Sequence, residues 1–112
     1  MQQYTLDPKA LLGGIIVEDN DQQIVQLALQ KDNEIPPYQT DAIVLLIVLG
    51  GRAQITTEKE SLETHGLQVV RLAPDATHSI RALEDQTTIL VIKQLTHELT
   101  LSKKLRFGQC CL

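Results

Sequence analysis

Few side chains in this sequence can do chemistry, and they are scattered. The imidazoles are His65, His78 and His97. Any one of them can exchange a proton near neutrality, because an unperturbed imidazole titrates at ~6.5. A mononuclear Fe, Mn, Ni or Zn site asks for more, namely several N, O or S donors converging on one point. His65 stands beside Gly66 in an expected turn and is read as solvated. His97, followed by Glu98 in the C-terminal segment, is too isolated to form a metal motif. His78 has no recognisable acid–base partner near it in sequence. Cys110 and Cys111 are neighbours, and a bond between adjacent cysteines closes a strained ring. No Cys-x-x-Cys spacing is present, so the pair is read as two free thiols. The fourth residue from the end is Gln109, which rules out a prenylation signal. Arg52, Arg71 and Arg81 fall in expected strands, where an inward-turned one would offer a cation to an anionic ligand. Each is read instead as half of a surface salt bridge, Arg71 foremost, because it interrupts the run Val69-Val70-Arg71-Leu72.

Composition narrows the partners. The 112 residues fit one domain, residues 1–112, large enough to bury a core without disulfides or metal. Hydrophobic residues make up 43% and aromatic residues only 3%, with no tryptophan, so the core must be aliphatic. That removes the stacking platform of single-strand nucleic-acid binders. A net charge of −4 with no compensating basic cluster argues against any nucleic-acid partner; Lys103, Lys104 and Arg106 form the densest basic stretch. The N-terminus lacks the basic start and apolar run of a signal peptide. The longest apolar run, residues 42–49, falls far short of the ~20 residues of a membrane helix. A cytoplasmic setting without membrane contact is expected.

The elements that must carry these side chains read as strands. Residues 11–17 are apolar but broken by Gly13-Gly14, and Glu18-Asp19-Asn20-Asp21 is a polar turn. Ile24, Val25, Leu27 and Leu29 form a strand, with Gln26 and Gln30 among its polar positions. Lys31-Asp32-Asn33-Glu34 ends it, and Pro36-Pro37 imposes an extended lead-in to the next element. Residues 42–49, Ala-Ile-Val-Leu-Leu-Ile-Val-Leu, are short and rich in β-branched side chains, which predicts a strand covered on both faces. Gly50-Gly51 then predicts a hairpin turn, since glycine accepts positive φ cheaply. Residues 52–57 form the more polar return strand, and Glu58-Lys59-Glu60 a solvated turn. Further short strands follow from Leu62, over residues 67–72, over residues 78–83 and over residues 87–92. Short, evenly spaced strands point to a sandwich or barrel rather than to βα units. Beyond Lys93 the pattern fits a short helix capped by Thr96 or a further strand, and residues 95–112 are read as a C-terminal tail.

Two stretches then match a family pattern. Ile35-Pro36-Pro37-Tyr38-Gln39-Thr40, running on to Ile47-Val48-Leu49-Gly50-Gly51, resembles the first cupin motif, where a proline-led segment carries a His-x-His pair, a glutamate follows and a glycine turn closes. Leu67 onward, through Pro74-Asp75-Ala76-Thr77-His78-Ser79-Ile80, resembles the second motif, P-x-G-x-x-H. The resemblance spans residues 24–94 and implies an all-β cupin barrel, the double-stranded β-helix or jelly roll. It also implies a metal site, and there the sequence departs. Tyr38 and Thr40 take the places of the paired histidines, Val44 that of the glutamate, and Asp75 that of the glycine. Leu67-Gln68 stands where Gly-Asp is common, so His78 alone survives from the ligand set.

One imidazole and a phenol whose ordinary pKa is ~10 do not make a tight metal centre. The expectation is therefore a non-catalytic cupin, a small-molecule-binding or structural barrel without cofactor, whose candidate pocket is Tyr38, Thr40, Val44 and His78. His78 is read either as a polar anchor for a ligand or as a leftover barrel histidine. Homodimerisation is expected, both from the resemblance and from a strand apolar on both faces. Two other readings remain open. One is a cupin enzyme, a metal-dependent isomerase, dioxygenase or decarboxylase that pairs His78 with non-standard ligands to a divalent transition metal. The other is a ligand-sensing barrel acting through a partner protein.

Overall fold

Alternation of apolar and polar residues at every second position leaves this chain one economical solution, two sheets closed face to face. The computed structural model describes residues 1–7 and 13–95. Nine strands follow in order: β1 Gly14–Glu18, β2 Gln22–Leu29, β3 Glu34–Tyr38, β4 Ile43–Gly50, β5 Arg52–Thr57, β6 Ser61–His65, β7 Gln68–Leu72, β8 His78–Ala82 and β9 Thr87–Gln94. They form a five-stranded sheet in the order β1-β2-β9-β4-β7 and a four-stranded sheet in the order β3-β8-β5-β6. All neighbours are antiparallel. This is the expected all-β jelly roll, and the described residues contain no helix able to cross a membrane. Leu11, Leu12, Thr96, His97, Lys103, Lys104, Cys110 and Cys111 lie outside the described residues, as does the choice of helix or strand for the tail.

Register decides which residues meet between the sheets. In the larger sheet Leu27 and Val48 both stand opposite Ile89, and Leu46 stands opposite Val91. In the smaller sheet Ile80 pairs with Ile55, and Ala82 with Ala53. These inward residues, with Leu29, Val44 and Leu72, form one continuous aliphatic core. Each large aliphatic side chain sealed there stabilises the fold by about 1.5–3 kcal/mol.

Three expectations are corrected. Gly50-Gly51 is not a hairpin. β4 pairs with β7 and β9 while β5 pairs with β6 and β8, so the two glycines carry the chain from one sheet to the other. Gly51 sits at φ +81, and a Cβ there would lie 2.6 Å from the Thr87 Cα, so glycine is required at this corner. Tight hairpins stand instead at β1–β2, closed by the Asp19 amide donating to the Gln22 carbonyl at 3.0 Å, and at β5–β6, closed by the Thr57 amide donating to the Glu60 carbonyl at 2.8 Å.

Residues 42–49 are covered fully on one face only. Val44, Leu46 and Val48 are buried, Ile43, Leu45 and Ile47 are half-buried, and Leu49 is exposed. Among the described residues no layer packs on the outside of this antiparallel sheet.

Gln26, expected at a polar position, is buried at 5% exposure. The end of the N-terminal segment covers it. The Asp7 amide donates to Gln26 Oε1 at 2.8 Å, and Gln26 Nε2 donates back to the Asp7 carbonyl. The side-chain amide thus pairs as a strand backbone would, leaving neither group unsatisfied.

Candidate functional site

The proline pair sets the first side chain of the site. Pro36 and Pro37 have no N–H to give to β8. Pairing runs regularly through Glu34↔Arg81 and Ile35↔Ile80, then slips, so that Tyr38 rather than residue 37 stands opposite His78. The one-residue bulge reverses the phase of β3 and turns Tyr38 to the same side as Ile35. Its ring lies 4.3 Å from the His78 ring, centroid to centroid, at an interplanar angle of 59°.

Strand β8 opens on His78, which is 1% exposed. Its Nδ1–H donates to the Ala76 carbonyl at 3.3 Å, which assigns the proton to Nδ1 and the lone pair to Nε2. That Nε2 atom is buried and has no hydrogen-bond partner among the described residues. Burial pushes the His78 pKa below its ordinary 6.5; the bond to Ala76 opposes the shift and the positive charge of Lys93 adds to it. Burial also raises the Tyr38 pKa above 10.0. Near neutral pH the site therefore holds a neutral imidazole against a neutral phenol.

Lys93 supplies the charge. It continues the inward phase of β9 after Thr87, Ile89 and Val91, and its Nζ lies 5.1 Å from the centroid of the Tyr38 ring. That geometry gives a cation–π contact. Below it opens a pocket of about 270 Å³ lined by Val25, Leu27, Ile35, Tyr38, Ile80, Val91 and Lys93. A larger groove of about 660 Å³ runs between the β5–β6 turn and residues 71–77. It is walled by Glu58, Lys59, Glu60 and Asp75 on loops and by Arg71 near the end of β7, charges of both signs. The smaller pocket is the better ligand site, because its apolar wall comes from rigid strands and ends in few polar groups.

Of the four candidate pocket residues, Tyr38 and His78 come together and the other two part from them. The Thr40 hydroxyl accepts from the Ala42 amide at 3.2 Å, while its carbonyl accepts from the Asp75 amide at 2.8 Å. Thr40 ties two loops together. Val44, 1% exposed, is part of the core wall. Asp75, standing where the cupin pattern has glycine, keeps the backbone glycine would give, with φ 67. Lys93 is the residue sequence reasoning missed, although the alternation Thr87, Ile89, Val91, Lys93 already placed it inward.

The arginines divide differently from the sequence reading. Arg52 pairs with Glu84 at 2.6 Å and with Glu63, and Arg81 pairs with Asp32 at 2.9 Å. Arg71, expected to be the foremost pair, has no ion pair among the described residues. It faces outward on edge strand β7 opposite Leu45, where the neighbouring strand offers no carboxylate. His65 is exposed as expected, its Nδ1 2.9 Å from the Gly66 carbonyl oxygen.

The donor set does not fit the metal centre that the fold implies. At the four relevant positions stand one imidazole, a phenol held protonated by burial, a hydroxyl already bonded and a valine. The described residues contain no cluster of three His, Cys, Asp or Glu side chains that could hold an ion. Lys93 adds a positive charge to the same mouth, which disfavours a cation further.

No family model matches the sequence, and no curated protein does. Solved structures do. The chain is similar to an RmlC-like cupin with a double-stranded β-helix fold from Methanocaldococcus jannaschii, at 19% identity and a TM-score of 0.75, over 88% of this chain and 92% of that one. A conserved protein of unknown function from Streptococcus pyogenes matches at 20% identity and a TM-score of 0.72, covering 84% of this chain and 89% of its own. A cupin superfamily protein from Desulfitobacterium hafniense matches at 15% identity and a TM-score of 0.72, over 82% and 84%. The fold is the cupin barrel.

Proposed function

We propose that this cupin barrel is a non-catalytic binding protein that holds a small organic molecule in the mouth framed by Tyr38, His78 and Lys93, without a metal cofactor. The observation that carries the reading is the open apolar pocket bounded by Tyr38, whose ring packs on a buried imidazole with an unused nitrogen. A binding site needs such a wall with a few fixed polar groups, and it needs no converging donor set. The test is elemental analysis of protein purified without an affinity tag or added metal. Far less than one ion per chain is the expected result. Stoichiometric Fe, Mn, Ni or Zn that disappears in His78→Ala overturns the reading in favour of a metal enzyme.

The protein acts as a homodimer in the cytoplasm. Support for the dimer comes from the outer face of the five-stranded sheet, where Ile43, Leu45 and Ile47 of β4 lie beside Leu90 and Ile92 of β9, with Val69 exposed at the edge. A continuous apolar face of this kind is covered most simply by its own copy about a twofold axis. Ile47→Asp is expected to convert the dimer to a monomer in sedimentation equilibrium, and wild-type protein that stays monomeric when concentrated refutes the assembly.

A further inference from the structure

We infer that the ligand is an amphipathic monoanion, a single carboxylate on a short apolar body, with Lys93 as its anchor; this rests on reading the mouth as a ligand site. Lys93 is the only charged residue in the lining of the small pocket, and every other member is aliphatic except Tyr38. Among the described residues no carboxylate pairs with it, and its recorded partner is the face of the Tyr38 ring. A half-buried cation at the end of an apolar stripe, with no carboxylate beside it, is complemented by a ligand that carries a negative group there.

The other cations of the barrel do not compete for that role. Arg52 and Arg81 are already neutralised by Glu63, Glu84 and Asp32. Arg71 opens onto the larger groove, but Glu58, Glu60 and Asp75 share that groove and would repel an anion. Of the two pockets formed by the described residues above, the Lys93 pocket is the one that presents positive charge with no acidic side chain in its wall. The chain as a whole carries −4, so a ligand with several negative charges would meet repulsion that one ammonium cannot offset.

Two features set the rest of the ligand. Val25, Leu27, Ile35, Ile80 and Val91 offer only methyl and methylene surface, so the body below the carboxylate is apolar. A volume of about 270 Å³ limits that body to a short chain or a single ring. His78 stays behind the Tyr38 ring and outside the pocket lining, so the polar contacts open to the ligand are those of Lys93 and Tyr38.

Titration of the intact protein with sodium octanoate, 1-octanol and octylamine tests the inference, read by NMR shifts at the amides of Ile35, Ile80 and Val91. Octanoate is expected to bind at least ~10-fold more tightly than octanol, with octylamine weakest. Lys93→Met, which keeps the apolar stem, should reduce octanoate to the affinity of octanol, and Lys93→Arg should restore the preference. Equal binding of octanoate and octanol to the wild type, or a preference that survives in Lys93→Met, overturns the anion and leaves the apolar pocket standing. If none of the three perturbs the pocket amides at millimolar concentration, the ligand-site reading falls along with it.

Discussion

The two ends of the barrel treat buried polar groups in opposite ways. At the end where Gly51 crosses between sheets, Thr87 is fully buried and its hydroxyl oxygen is used on every side. It lies 2.8 Å from the Glu84 carbonyl oxygen and 3.1 Å from that of Arg52, and it accepts from the Arg52 amide at 3.3 Å. Thr64, at the same end, donates to Gln68 Oε1 at 3.1 Å, and the His65 amide shares that acceptor. At the opposite end His78 is as deeply buried, yet among the described residues its Nε2 has no partner, and the pocket opens beside the neighbouring Tyr38. One end uses its polar groups to close the fold, and the other leaves one imidazole nitrogen unused. Satisfied polar groups mark the end that holds the barrel shut, and the one unsatisfied nitrogen lies at the end where the pocket opens.

That contrast can be broken by substitution. The largest effect is expected at the closed end, where Gly51→Ala adds a Cβ 2.6 Å from the Thr87 Cα on a backbone at φ +81. A loss of about 2–4 kcal/mol should appear as a lower denaturant midpoint, because the left-handed backbone and the clash both count against it. A variant as stable as wild type would show that the corner yields freely. Next comes Thr87→Val, which keeps the shape and removes the hydroxyl. It should cost about 1–3 kcal/mol in the same measurement by stranding the Arg52 amide. At the open end His78→Phe removes the unpartnered Nε2 together with one long Nδ1–H bond to the Ala76 carbonyl, so it should cost only about 0.5–1 kcal/mol, less than Thr87→Val. Equal losses from Thr87→Val and His78→Phe would erase the distinction between the two ends.

The smallest effect sharpens the comparison through pH. The folded His78 binds its proton less readily than the unfolded chain, whose histidine titrates near 6.5. As pH falls below that value, the unfolded state takes up a proton that the folded state refuses, so stability declines toward the folded pKa and then levels off. The contribution is fully present above pH 6.5. Stability plotted against pH should therefore fall more steeply in the wild type than in His78→Phe just below that point. Parallel curves would show that the imidazole is not held neutral.

The strands were legible in the sequence because alternation and turn residues are local signals. Residues 52–57 were read with the bounds that β5 has, and the polar turn at Glu58-Lys59-Glu60 lies where the hairpin closes. Pairing was not legible in the same way. Gly50-Gly51 suits a hairpin or a crossing equally, and only the partners of β4 and β5 decide between them. Gln26 read as polar because its cover comes from Asp7, far away in sequence. In the site, motif spacing located Tyr38 and His78, but the bulge that brings them together depends on β8 running alongside Pro36-Pro37. Lys93 lay outside both motifs, and its meaning came from the strand phase and from the ring it covers.

The same proline pair has a consequence for how the protein behaves in a crowded solution. β3 is an outer strand of its sheet, the kind of border along which strands of separate molecules can zip into fibrils. Pro36 and Pro37 remove amide hydrogens from this short strand and break its regular extension, so a foreign strand laid along it finds a short border that lacks a donor. The kink that aims a tyrosine at a histidine also makes this margin of the barrel a poor seed for aggregation.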